Sequence, residues 1–379
     1  MRRIPELDAL RGLAAVVILI YHLRLVKVMP ILGSSVDLFF VLSGYLITAI
    51  LLRDLGKPKA LRNFFIRRSL RIWPIYYLAL GGVLLLNRLM PIPHPTDALP
   101  FFMTYTPFIQ EYWGGAIPPF PPSYGHVWTL AVEEQFYTLW PFLVALLGRR
   151  IGWAIAPLLV LGVVLRARGY NEGLLLTHAD GLLLGAWLAS REAKCEAGRV
   201  RVGAFAAMLL FGFGVPLWRA WVIGRLGQGV PGVSWETAFS ALNPTRISLA
   251  YLGLVGLILA GAGGPWLKAL RHPKLVEVGQ ISYGLYLYHP LVFWGVTTAY
   301  HRLGLRHTIW QESVWLDVLR ISLSFGVAVL SWRWIERPLL GWKDRLAPRE
   351  PSILRGPHHL STVEAETKTA VGKGFPVRP

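Results

Sequence analysis

A single cysteine, Cys195, stands among the 379 residues, so no internal disulfide can form and no thiolate cluster is available to a metal. Acidic residues are scarce, 21 Asp and Glu against 39 Lys and Arg, and charge of both signs together makes up only 16% of the chain. With 54% hydrophobic residues, that shortage of charge excludes an ordinary soluble domain. No period of the solenoid kind is present, which excludes a repeat array. The excess of base, +18, would point to nucleic acid in a soluble protein. Here the bases fall on alternate loops between apolar runs, the pattern that orients helices in a bilayer, and no nucleic-acid partner is expected.

What is present is a series of apolar segments of membrane-crossing length. Ten spans are expected near 10–26, 36–52, 72–90, 126–147, 151–167, 172–189, 202–223, 247–264, 274–298 and 315–335. The predicted fold class is an all-α polytopic membrane bundle. The stretch Arg53–Arg71 carries seven bases, Arg53, Lys57, Lys59, Arg62, Arg67, Arg68 and Arg71, whereas 91–125 carries only uncharged and acidic residues besides His94, so both termini are expected in the cytoplasm. The run 98–110 is apolar but too short to span, and fits a half helix dipping into the outer face. Arg2 and Arg3 before an apolar run imitate a secretory signal, but Arg11 and His22 interrupt the run and it leads directly into a second span. The membrane domain is predicted over 1–341, and 342–379, polar and rich in Pro, Gly and bases, reads as a disordered cytoplasmic tail. No further extracytoplasmic domain is expected.

Polar residues inside apolar helices are costly and point to interior sites. Arg11 and His22 are eleven residues apart, which brings them back to within about 20° of one helix face and about 16 Å apart along the axis. Two readings fit: both face a polar interior, or Arg11 snorkels to the headgroups and His22 caps the opposite interface. Asp37 opens the second span at the depth of His22, either to orient that imidazole or to cap its own helix. Ser43 and Gly44 read as a close helix contact, with no base visible nearby for Ser43. Arg67, Arg68 and Arg71 share a cytoplasmic helix end beside Trp73, as a membrane anchor or as a clamp for phosphates.

His126 and Glu133, seven apart, are expected on one face of the fourth span. Glu133, Glu134 and Gln135 cannot all face lipid, so at least one carboxylate must look inward. His178 and Asp180 lie in the sixth span, and Ser282, Tyr286 and His289 form a stripe at i, i+4 and i+7. Pro290 removes the bond its N–H would have made to the Tyr286 carbonyl, leaving a backbone acceptor in the interior. Inward charges along such a path suit either an enzyme or a transporter or flippase, although no matched halves are visible.

Taken in order, LDALRGLAAVVILIYH, VDLFFVLSGYLIT, RRSLRIWPIYY, HVWTLAVEEQFYTLWP, ISYGLYLYHP and WRWIERP resemble the membrane acyltransferase-3 family, O-acyltransferases of bacterial surface polysaccharides, antibiotics and related glycosides, from about Ile4 to Leu340. The resemblance implies a ten-helix protein of the bacterial inner membrane that takes an acyl group, acetyl by expectation, from cytoplasmic acyl-CoA to a hydroxyl of a carbohydrate or glycoside, without a metal. The family's Arg-x10-His motif maps to Arg11 and His22, its Trp-x-Leu-x-x-Glu motif to Trp128, Leu130 and Glu133, and its Arg-Arg-x-x-Arg motif to Arg67, Arg68 and Arg71. His22 is expected as general base, oriented by Asp37 or Glu133, with Arg11, Arg67, Arg68 and Arg71 holding the donor. Acceptor contacts are expected at His126, Trp128, Glu134, Tyr286 and His289. One position departs from the pattern: His178 stands two residues before Asp180, where similar members have arginine.

Overall fold

The structure, a computed structural model, describes residues 4–25, 30–90, 93–109, 120–170, 173–192, 202–214, 235–304 and 314–348. The described residues are helical throughout, joined by short turns, with no strand among them. The helices are α1 (Pro5–Ile20), α2 (Ser35–Asp54), α3 (Ala60–Arg88), the short α4 (Leu99–Met103), α5 (Trp128–Leu147), α6 (Gly152–Ala167), the single turn α7 (Leu175–His178), α8 (Asp180–Glu192), α9 (Val202–Gly214), α10 (Trp235–Ala260), α11 (Pro273–Arg302), α12 (Val314–Ser331) and α13 (Arg337–Leu346).

Five continuous helical stretches are long and apolar enough to cross a bilayer: Ile31–Asp54, Ala60–Arg88, Ser123–Arg150, Ser240–Ala260 and Val314–Leu346. The expected spans 10–26 and 274–298 fall on α1 and α11, which carry more polar residues, and 151–167 falls on the shorter α6. The sixth expected span is broken at Ala179 into α7 and α8. The seventh is described only as far as Gly214. The run near 98–110 contains the five-residue α4, tied to α3 where Tyr76 and Tyr77 donate to the Phe102 and Met103 carbonyls at 2.7 and 2.9 Å.

At the centre, α2 packs against α8, α10, α1 and α5, and α1 packs along α11. Glycines permit this closeness. A Cβ on Gly44 would collide with the Leu182 carbonyl of α8, and one on Gly185 with the Val41 carbonyl of α2. Between α1 and α11, a Cβ on Gly279 would collide with the Asp8 carbonyl. Lipid tails are as apolar as leucine, so helix association in a membrane depends on this kind of close van der Waals packing. Trp140 Nε1 donates to Thr48 Oγ1 at 2.8 Å and ties α5 to α2 within the core formed by Phe40, Ile47, Val132, Phe136 and Leu182.

Two π turns break the α-helical ladder, Tyr21–Leu25 after α1 and Trp332–Glu336 between α12 and α13. The second leads into α13. That helix runs through Leu346, and Arg67 holds its end by bonds to the Ala347 carbonyl and Asp344 Oδ1, both 2.8 Å. Residues 349–379, the remainder of the predicted tail, lie outside the described residues.

Candidate active site

Arg11 of α1, Ser43 of α2, Arg68 and Arg71 of α3, Thr129 and Glu133 of α5, and Ser282 and Tyr286 of α11 line a cavity. Val36, Phe39, Phe40, Ile72, Leu130 and Tyr283 supply its apolar walls. Three guanidinium groups thus share the space with one carboxylate. Ser43 Oγ donates to Glu133 Oε1 at 2.6 Å, so the serine expected only to pack also satisfies the acid. Arg68 lies 3.7 Å over the ring of Tyr137, and its Nε is buried without a hydrogen-bond partner among the described residues. Cations in excess inside a low-dielectric cavity favour an anionic ligand, and guanidinium suits phosphate through paired N–H donors.

The expected arginine clamp is therefore incomplete. Arg67 points away from the cavity to α13, drawn there by its bonds to the Ala347 carbonyl and the Asp344 carboxylate. The three consecutive polar residues of α5 splay by about 100° each. Glu133 enters the cavity, Glu134 accepts from Trp73 Nε1 at 3.1 Å, and Gln135 donates to the Tyr105 carbonyl at 2.9 Å.

The second part of the site lies beyond Tyr286. His22, His126 and His289 cluster there, with ring centroids 5.0 Å apart for His22 and His289 and 5.6 Å for His126 and His289. His289 is 1% exposed, while His22 is exposed. The cluster defines its own proton positions. Pro290 frees the Tyr286 carbonyl, and His289 Nδ1 sits 2.8 Å from that oxygen and 3.2 Å from the Leu285 carbonyl. Two acceptors at one nitrogen require an N–H there, which leaves His289 Nε2 as an acceptor. That atom lies 3.4 Å from His22 Nδ1, which is also 2.9 Å from the Ile18 carbonyl. These contacts assign the proton of His22 to Nδ1, and its Nε2 has no hydrogen-bond partner among the described residues.

The carboxylates expected to orient His22 are elsewhere. Asp37 is the third residue of α2, not its cap, and its Oδ1 is 3.4 Å from both His178 Nε2 and Ser248 Oγ. Glu133 is engaged by Ser43 in the cavity. A helix-terminal carbonyl and a second imidazole take the place of the acid. Arg11 lines the cavity, whereas His22 lies in the π turn that follows α1 and meets His289 of α11. His126 belongs to a 3-10 turn (Pro122–Val127) ahead of α5 and is not among the residues that line the cavity with Glu133. Trp128 packs against His178 and Phe40, at ring centroid distances of 4.9 and 6.3 Å, outside the cavity lining.

Sequence reasoning missed Arg166. It is buried on α6 and pairs with Asp180 through two bonds, 2.8 and 3.1 Å, while also donating to the Thr177 and Ala241 carbonyls. The guanidinium absent from position 178 reaches Asp180 from another helix, and an arginine within the apolar run 151–167 was the available signal. No group of three His, Cys, Asp or Glu side chains among the described residues is arranged to hold a metal.

A family model described as an acyltransferase domain matches residues 4–333. The chain belongs to the acyltransferase-3 family. As a member of it with five membrane-length apolar helices among its described residues, it is a multi-pass membrane protein. This acyltransferase-3 chain is 29% identical to peptidoglycan O-acetyltransferase OatA of Listeria monocytogenes, the match covering 89% of the chain and 56% of that protein. It is 27% identical to nodulation protein 10 of Rhizobium leguminosarum bv. viciae, covering 85% of the chain and 86% of that protein. It thus spans little more than half the length of the Listeria relative. No solved structure matches it.

Proposed function

We propose that the protein is an integral membrane O-acyltransferase that moves an acyl group, acetyl by preference, from cytoplasmic acyl-CoA to a hydroxyl of a carbohydrate or glycoside. The cavity of Arg11, Arg68 and Arg71 receives the phosphate-bearing donor, and His22 is the general base. The hydroxyl attacks the thioester carbonyl as His22 Nε2 takes its proton. The O–acyl bond forms, the C–S bond breaks, and CoA leaves as the thiol. A hydroxyl is a weak nucleophile near neutral pH, and an imidazole with one nitrogen held by carbonyl and imidazole acceptors keeps its other nitrogen aimed and unprotonated for this task.

The observation that carries this reading is the position of His22 Nδ1, 2.9 Å from the Ile18 carbonyl and 3.4 Å from His289 Nε2, which assigns the proton to Nδ1 and the lone pair to Nε2. The name of the Listeria relative, peptidoglycan O-acetyltransferase, supports acetyl as the group and a glycan as the acceptor class. Ten spans, with both termini in the cytoplasm of a bacterial inner membrane, go with this reading, since they put the arginine cavity on the acyl-CoA side.

The test is acceptor-dependent release of CoA by purified protein in nanodiscs supplied with acetyl-CoA and a peptidoglycan or polysaccharide fragment. His22→Ala is expected to abolish release while keeping the chromatographic profile of the folded protein. Undiminished release by that variant removes His22 from the chemistry.

A further inference from the structure

One side chain, Tyr286, borders both the cavity and the histidine cluster. Tyr286 lines the cavity, yet its ring centroid is 5.3 Å from His126 and 6.0 Å from His289 on the other side. His22 is not among the residues that line the cavity. The phenol is fixed in place: its oxygen lies 2.6 Å from Thr129 Oγ1 and 2.9 Å from the His126 carbonyl, so α11 is bonded across to α5 and to the turn before it. Tyr286 and Thr129 are both buried, and Phe39 backs the ring at a centroid distance of 6.2 Å.

From this we infer that Tyr286, closed on Thr129 and the His126 carbonyl, is a partition between the donor cavity and His22 that determines whether the acyl group goes to the acceptor or to water. The inference rests on the proposed acyltransferase reading. His22 lies on an exposed side of the protein, and a base that activates a sugar hydroxyl activates water equally well. A thioester standing continuously beside it would be hydrolysed: the water oxygen bonds to the acyl carbon, the C–S bond breaks, His22 takes the water proton, and the thiolate leaves to be protonated as CoA. The closed phenol keeps the thioester on the arginine side until the acceptor fills the space in front of His22. Exclusion of water from a reactive group is a recognised task of closed active sites.

The strength of the closure is two hydrogen bonds, each worth about a fivefold change in an equilibrium. Tyr286→Phe keeps the ring and removes both. Thr129→Val removes one and keeps the shape. Acetyl-CoA is supplied to the wild type and to each variant in nanodiscs, with and without the glycan fragment, and released CoA and acetylated glycan are both measured. Acceptor-independent CoA release is expected to rise about fivefold to thirtyfold in Tyr286→Phe and about fivefold in Thr129→Val, relative to glycan acetylation in the same sample. Mere loosening of the fold lowers hydrolysis and transfer together and leaves their ratio unmoved. The gain is expected to vanish in the double variant His22→Ala/Tyr286→Phe, since the hydrolysis depends on the same base. An unchanged ratio in both single variants overturns the partition and leaves the acyltransferase reading intact. A wild type that releases no CoA under any of these conditions sinks that reading and the partition with it.

Discussion

Removing the carboxylate of Asp180 should be among the most damaging single changes in the molecule, and its cost can be worked from the pair it makes with Arg166. The two side chains are 3% exposed each, joined by bonds of 2.8 and 3.1 Å, with Thr245 donating to the same carboxylate at 2.5 Å. Asp180→Ala leaves a guanidinium charge between α6, α8 and α10 with carbonyls and a hydroxyl but no counter-ion, which costs about 3–5 kcal/mol. Replacing both partners by apolar residues, Arg166→Met with Asp180→Leu, removes the stranded charge. It leaves the Thr177 and Ala241 carbonyls unpaired at about 1 kcal/mol each. The double variant should therefore be more stable than Asp180→Ala alone, the reverse of additivity.

The contrast within the same protein is Arg67 and Asp344, whose carboxylate is 66% exposed and whose pair contributes only about 0–1 kcal/mol. Chemical unfolding in detergent, followed by tryptophan fluorescence and extrapolated to zero denaturant, measures all of these variants on one scale. A cost below about 1 kcal/mol for Asp180→Ala would show that water reaches Arg166, and the reasoning from burial fails.

Arg71→Ala removes a cation from the cavity and is expected to raise the KM for acetyl-CoA roughly tenfold or more, whereas Arg67→Ala, whose side chain holds α13, should leave that KM unchanged. Steady-state titration of donor distinguishes the two, and a large KM effect from Arg67→Ala alone would contradict the assigned cavity. Gly185→Leu drives a side chain into the backbone of α2 and is expected to cost at least about 1–3 kcal/mol and the yield of folded protein. The control is Gly326→Leu on α12, where an added Cβ meets nothing within 4 Å. Size-exclusion chromatography of the two variants side by side checks the difference.

Much of the site was legible as residue types. The cost of ionisable groups in lipid singled out Arg11, His22, Glu133 and Arg71 wherever they fell, and the stripe Ser282, Tyr286, His289 does run from the cavity lining to His22. Pro290 announced a spare carbonyl in the chain itself, and the structure shows what uses it. Partners were not legible. Asp37 and His22 are near in sequence depth but face different helices, and Asp180 takes its cation from fourteen residues earlier, across a helix boundary. The extent of α13 was hidden for a related reason, since a polar composition says nothing of the Arg67 bonds that hold its end.

Composition alone determined that this chain is a helical membrane protein, because a backbone in hydrocarbon must satisfy its own hydrogen bonds and apolar runs of that length have nowhere else to go. Spacing along single helices determined which polar residues turn inward, for as long as the helix stayed regular. The tertiary structure decided everything that depends on rotation between helices or on a break within one. Asp37 came to face His178 and Ser248, Asp180 took its cation from α6, and Tyr286 of α11 was bonded across to Thr129 of α5.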